Sequence, residues 1–394
     1  MEDFIMETKL LKLLPCALVL FISTLSVFSQ PKLIDATSKG KMEYAIEWHL
    51  NGGKQNKANT DTYTAEDGLV LATPTRKGYT FTGWYTNEDL TGKKVTSIPK
   101  GSTQSKVFYA GWVITKKQAV KIMKEEMVTV IPAGKKVKME NFAGTDGIQI
   151  INAYKIAKHE VTQDLYMAVM GTNPSYYRNN SASGDVQEKR PVDSVSWYDA
   201  ICFCNKLSMI MGLTPAYSVN GITDPEAWEY ESHTFMGTTH GHDGTNEGIK
   251  VTCNHSANGF RLPTEAEWEM AARGGMKGGW DYKYSGSNNI DDVAWYEDEF
   301  ESVRHTTHEV GKKHANALGL YDMSGNVMEW CDNFNSSSSS KPVLRGGCYT
   351  KHDIYFYFGE GTVSERTVSG EDPGSLSPHI GYYFVGFRVA CTAF

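Results

Sequence analysis

Thiols, imidazoles and runs of tyrosine are the parts of this 394-residue sequence best suited to chemistry. Cys348 directly follows Arg345-Gly346-Gly347, with no other thiol near that turn. A lone thiol could bind a soft metal ion only with further donors, and its plainer reading is a small packed residue. His240-Gly241-His242-Asp243 is a histidine-rich loop, and His305 with His308 forms a second pair. Three converging histidines or carboxylates hold iron; histidines that do not converge are solvated loop residues. Tyr355-Phe356-Tyr357-Phe358 and Tyr382-Tyr383-Phe384-Val385 lie between the Gly346-Gly347 turn and a late Gly386-Phe387-Arg388. A strand points successive side chains to opposite faces, so consecutive rings leave some facing solvent unless both faces are buried. Tyrosine supplies rigid, amphipathic contact area at low entropic cost, which suits binding rather than bond-making.

These residues need a scaffold, and the composition bounds it. The length allows two or three domains. Hydrophobic residues make up 40% and charged residues 22%, the profile of a folded globular chain. The net charge of −7 offers no broad basic field for a phosphate backbone, so no nucleic-acid partner is expected. Seven cysteines over this length are too few for a disulfide scaffold.

Residues 1–29 resemble a secretory signal peptide. Lys9 and Lys12 precede an apolar run from Leu13 to Phe28, and Val27-Phe28-Ser29 precedes Gln30 at the cleavage side. The run is shorter than the ~20 residues of a membrane span. An uncleaved anchor and lipidation at Cys16 remain alternatives, and the membrane is expected as a partner only through such a signal or lipid anchor. Residues 30–41 form a polar linker.

Alternation at Tyr44, Ile46, Trp48 and Leu50 ends in Asn51-Gly52-Gly53, a half-buried strand running into a turn. Further strands are predicted at Gly68–Leu71, Gly78–Tyr85 and Val107–Trp112. Residues 42–113 therefore read as a small β-rich domain. Leu50-Asn51-Gly52-Gly53, the stretch Pro74 to Tyr85 and Phe108-Tyr109-Ala110-Gly111-Trp112 resemble the internalin-B-type (Listeria-Bacteroides) repeat. The resemblance implies a β-grasp-like stalk on a surface protein. Residues 114–127 read as a linker helix.

Residues 128–394 carry five ordered motifs. Pro191-Val192-Asp193-Ser194-Val195-Ser196-Trp197 leads into a helix ending near Leu207. Gly259-Phe260-Arg261-Leu262-Pro263-Thr264-Glu265 is a strand end followed by a helix that Thr264 caps and Gly274 stops. The stretch from Gly319 to Trp330 turns tightly at Gly325 into a strand. Arg345-Gly346-Gly347 and Gly386-Phe387-Arg388 complete the set. The long stretch 216–256, rich in glycine, threonine, histidine and asparagine, reads as an extended loop. Together these motifs resemble the formylglycine-generating enzyme (sulfatase-modifying factor) family. That resemblance implies an α+β, C-type-lectin-like domain with much irregular chain.

The family's oxidase uses two copper-binding cysteines, four and nine residues after the second glycine of the Gly-Gly turn. Here Lys351 and Phe356 occupy those places. The resemblance thus implies no catalytic residues and no required cofactor. A copper oxidase acting on sulfatase cysteines is the alternative. Iron-dependent branches of the superfamily share their ligands with a helical partner domain, which this chain lacks. The family's calcium turn would use Asp322, the backbone of Gly325 and Val327, and Glu329; without metal, Asp322 and Glu329 would satisfy turn amides. The resemblance also pairs Cys204 with Cys391, the alternative being two buried thiols.

The non-enzymatic variable proteins of diversity-generating retroelements resemble this chain closely. Their mutable positions lie between Arg-Gly-Gly and a terminal Gly-Phe-Arg. The expectation is an exported binding protein of the cell surface, outer envelope or extracellular space, with a protein or glycan ligand. Its binding surface, spanning about 348–385, would expose Tyr349, Lys351, His352, Asp353, Tyr355, Tyr357, Glu360, Tyr382 and Tyr383.

Overall fold

The computed structural model describes residues 41–88, 90–140, 148–178, 184–230, 233–234, 249–278, 281–296, 306–332, 342–350, 362, 366–368 and 377–393. The first sheet uses β1 (Glu43–His49), β2 (Thr62–Thr64), β4 (Tyr79–Tyr85) and β6 (Lys106–Ile114), in the order β2-β1-β6-β4. The central pair β1 and β6 is parallel, and both flanking pairs are antiparallel. β3 (Leu69–Val70) and β5 (Ser97–Ile98) form a separate short pair. Alternation in β1 turns Tyr44 and Ile46 inward, where they meet Tyr63, Trp84 and Phe108. The Asn51-Gly52-Gly53 turn closes on β6. Trp112 Nε1 donates to Leu50 O at 2.9 Å, and a Cβ on Gly53 would lie 2.4 Å from the Trp112 ring. Glycine there makes room for the indole.

Helix α1 (Lys116–Glu126) starts at Thr115, whose hydroxyl accepts from Gln118 N. Ala119 and Met123 on its inner face join the large core together with Ile114. This helix was expected to be a linker; apolar spacing along one face docks it into the larger unit instead. Arg76, in the small unit, pairs with Glu188 at 2.8 Å.

A second sheet joins β7 (Met127–Glu140) and β8 (Ile148–Ala157) to chain-distant partners. α2 (Gln163–Met170) and α3 (Trp197–Ile210) follow β8. A reciprocal Ser196–Asp199 capping box fixes the start of α3. β9 (Tyr217–Val219) pairs antiparallel with β11 (Val251–Cys253), so the ends of the stretch read as a loop are held in register. β10 (His233–Thr234) lies between them in sequence. β12 (Phe260–Arg261) runs into α4 (Glu265–Ala272), which a Thr264–Glu267 capping box begins and Gly274, with a φ of 85°, follows. β13 (Met328–Trp330), β14 (Val343–Arg345) and β15 (Arg366–Val368) come next. β16 (Ile380–Gly381), β17 (Val385–Gly386) and β18 (Ala390–Thr392) complete the chain.

The sheet orders are β12-β18-β8-β7 and β15-β14-β13-β17, and β10 pairs with β16. The last strand, β18, lies antiparallel between β12 and β8, which brings the end of the chain beside the start of the large unit. Trp197, Trp268 and Trp330 are fully buried. Their indole N–H groups reach Cys331 O, a Glu329 carboxylate oxygen and Val195 O. Short helices, short strands and long irregular connections make this α+β, as expected.

Candidate ligand-binding surface

Two buried arginines hold the frame of the candidate surface. Arg388 sends Nε and Nη2 to Glu329 at 2.6–2.9 Å and its remaining donors to Ala157 O, Lys158 O and Tyr321 O. Arg345 pairs with Glu265 and Glu269 of α4. The arginines of the two bracketing motifs are therefore internal struts of the large unit.

The returning leg of that segment is clamped to the entry of α3. Ser194 N donates to Tyr382 O and Trp197 N to Pro378 O, each at 3.0 Å. Gly381 sits so close that a Cβ would lie 2.1 Å from Ser194 O. The outgoing leg is tied at Tyr349, whose N–H donates to Asn326 O at 2.9 Å.

The clamping corrects part of the expected exposed set. Tyr349 and Tyr382 are each 3% exposed, and only Tyr383 of the described three is partly open. Tyr382 to Val385 form a turn closed by Val385 N donating to Tyr382 O at 2.9 Å, with Tyr382 and Phe384 buried on either side of Tyr383. Tyr382 also accepts from Ser377 N at its hydroxyl. Lys351, His352, Asp353, Tyr355, Tyr357 and Glu360 lie outside the described residues.

Two further tyrosines complete the surface, supplied by the loop 173–178. Tyr176 is 58% exposed and packs against Tyr383 with ring centroids 5.6 Å apart. Tyr177 meets Tyr349 edge-on at 5.3 Å and Tyr383 at 6.3 Å. The four rings run from buried Tyr349 outward to exposed Tyr176. Tyr176 and Tyr177 lie outside the expected set, although a tyrosine pair directly after Asn173-Pro174-Ser175 is a usable signal for an aromatic loop tip.

Asp193 holds this loop from below. Its carboxylate accepts from Tyr176 N at 2.6 Å, Tyr177 N at 3.4 Å and Ser194 Oγ at 2.8 Å. Burial pushes its pKa up to about 7, against the lowering effect of these donors and of Arg190. Gln163 and Gln187 donate to Tyr177 O, which fixes the loop from the other side. Burial pushes the Tyr177 phenol up to about 12, so it remains a neutral hydrogen-bonding group at ordinary pH. Cys348, beside this cluster, is buried with its thiol directed at Thr350 O. The cluster offers aromatic area and hydroxyls fit for contact with a ligand.

The remaining expected sites fare differently. Both carboxylate oxygens of Glu329 accept from Arg388, and one also from Trp268. Asp322 accepts from Gly311 N, and Val327 N donates to Glu160. Gly325 N donates to Gly346 O, and Asp322 Oδ1 is buried without a hydrogen-bond partner. Cys204 and Cys391 are free thiols rather than a disulfide. Cys204 is enclosed in the core on α3, whereas Cys391 is fixed by β18 pairing with Phe260 and Lys155. His308 stacks on Trp295 at 3.9 Å and contacts Asp185 at 3.1 Å, while His240, His242, Asp243 and His305 lie outside the described residues.

Residues 114–393 match the sulfatase-modifying factor enzyme 1-like domain. The chain belongs to the sulfatase-modifying factor enzyme 1-like family. Residues 44–111 match the Listeria-Bacteroides repeat domain. Among solved structures, Treponema denticola variable protein 1 is similar with a TM-score of 0.51 and 35% identity, over 68% of this chain and 94% of that one. The chaperone protein LppX of Paenibacillus barcinonensis is 40% identical over 52% of this chain and 71% of its own length. The formylglycine-generating enzyme of Streptomyces coelicolor is 32% identical over 32% of this chain and 46% of the enzyme. The sulfatase-modifying factor enzyme 1-like unit therefore has the C-type-lectin-like fold of an enzyme-like family whose similar proteins include a variable protein.

Proposed function

We propose that this protein is a non-catalytic binding protein, exported and displayed at the cell surface, whose tyrosine surface takes up a protein or glycan ligand. The observation that carries the reading is the graded four-tyrosine wall. Tyr176 is exposed and Tyr383 partly open to contact, while Tyr177 and Tyr349 brace them from behind. The wall stands at both ends of segment 348–385, the segment bracketed by the two buried arginines.

Absence of oxidase activity is supported by Lys351 and Phe356 at the places where the enzymes carry their two thiols. The binding role is supported by the similarity to a variable protein and to a protein named as a chaperone. The latter favours a polypeptide ligand. Export and display are supported by the apolar stretch after Lys12 and by the surface-type repeat. Diversification by a retroelement is part of the same reading, and a reverse-transcriptase gene beside a near-copy of the codons for 348–385 would be its signature.

A displayed random-peptide library panned against the full chain tests the binding role. Peptides selected on the unaltered protein should lose binding to the Tyr176→Ser/Tyr383→Ser variant, with its melting temperature within a few degrees of the parent. Selected peptides that bind the variant equally well would remove the tyrosine wall as the site.

A further inference from the structure

Cys253, His255 and Asp332 come together away from the tyrosine wall. Their donor atoms all lie within 4.8 Å of one another. Cys253 ends β11, paired across to Tyr217. The next residues turn sharply: Asn254 N donates to Ala216 O, Asn254 Oδ1 accepts from Ser256 N, and Ala257 N donates to Asn254 O. His255 O accepts from Thr392 Oγ1 at 2.7 Å, tying the turn to the last strand. Asp332 follows β13, with its N–H held by Pro263 O at 2.7 Å. Three separate parts of the fold thus fix the three backbones.

Asp332 is buried, its side chain only 3% exposed, and its Oδ2 lacks a donor of good geometry, with the Cys253 thiol and His255 as its polar neighbours. A buried carboxylate oxygen left in that state costs free energy unless a cation or donor meets it. His255 Nε2 stands 3.4 Å from this oxygen. That is close to the spacing of about 3.3 Å between nitrogen and oxygen ligands on one tetrahedral zinc ion with bonds of about 2.0 Å. The His255 side chain is about half exposed, and the Cys253 sulfur lies within 4.8 Å of both other donor atoms.

We infer that Cys253, His255 and Asp332 form a zinc-binding site. One sulfur, one nitrogen and one oxygen donor suit zinc, whereas calcium and magnesium require oxygen throughout and copper(I) disfavours carboxylate. On binding, the Cys253 thiol gives its proton to solvent and its sulfur bonds the metal. Thiolate and carboxylate then neutralise the dication. Arg261, the nearby cation, is already paired with Glu267 at 2.6 Å and so does not oppose the metal with an unbalanced charge. Three protein ligands leave a fourth position, on the solvent side of His255, for water or a partner's group.

The test uses the reduced full chain, zinc chloride and a competing chromophoric chelator. One zinc per chain should bind and raise the melting temperature, and cobalt(II) should give a thiolate-to-metal charge-transfer band. His255→Ala removes an exposed side chain and should weaken zinc binding at least tenfold; Cys253→Ser should do the same and abolish the cobalt band. Failure to bind zinc, or binding of undiminished affinity in both variants, would overturn the site. A cobalt band that persists in Cys253→Ser would overturn it as well.

Discussion

The Tyr349 hydroxyl donates to the Tyr177 hydroxyl at 3.0 Å, with the two rings nearly perpendicular and 5.3 Å apart. This contact joins the outgoing leg of segment 348–385 to a loop more than 170 residues earlier. Removing only the hydroxyl, as Tyr349→Phe, should cost about 1 kcal/mol. Tyr349→Ala should cost about 3–5 kcal/mol, the range for emptying a core aromatic site. Tyr176→Ser should stay within about 0.5 kcal/mol because the ring is exposed. Urea unfolding of the three variants measures the contrast; equal losses at Tyr176 and Tyr349 would contradict the inside-to-outside order of the wall.

Asp193 should make stability depend on pH in a stated direction. Its carboxyl is pushed up to about 7 in the folded protein, from an ordinary value near 4. Between those values the folded state binds more protons than the unfolded one, so this residue's contribution falls as pH rises from about 4 to about 7 and is constant beyond. The loss is at most a few kcal/mol. Unfolding midpoints of the parent and Asp193→Asn should converge at the acid end and separate toward pH 7 in favour of the variant. Parallel profiles would show that Asp193 does not titrate in this window.

The Arg388–Glu329 pair is fully buried. Arg388→Met leaves Glu329 charged and unpaired, at a cost of about 3–5 kcal/mol. Adding Glu329→Gln should recover much of that loss, since an amide oxygen can still accept from Trp268 Nε1. Denaturant titration of the single and double variants reads the recovery directly.

Helix α1 should be indispensable to the large unit. A fragment beginning at residue 114 should fold cooperatively, whereas one beginning at residue 128 loses Ala119 and Met123 from the core and should aggregate or melt much lower. Calorimetry of the two fragments distinguishes them, and equal melting temperatures would return the helix to a linker role.

The protein should also be inert as an oxidase. Incubated with copper, oxygen and a cysteine-containing sulfatase peptide, it should form no formylglycine above background by mass spectrometry. Aldehyde product would sink the non-catalytic reading.

Local chemistry made much of this protein legible from its sequence. Period-2 alternation marked β1, and the Thr264 and Gly274 signals bounded α4, because caps and strand faces depend on neighbouring residues. The ordered motifs carried the fold, and the missing thiols at 351 and 356 carried the expectation of no oxidase. Tertiary structure alone decided what touches what across the chain. Alternation implied that tyrosines near the motifs would split between inside and outside. Only the clamp of Ser194 and Trp197 on the returning leg turned Tyr382 inward and left Tyr383 partly open. Tyr176 and Tyr177 joined the wall because Asp193, distant in sequence, accepts their backbone N–H groups. Cys253, His255 and Asp332 have no spacing that announces a site. They meet because β9–β11 pairing and the end of β13 converge on one place, and convergence of distant strands is a property of packing rather than of local sequence.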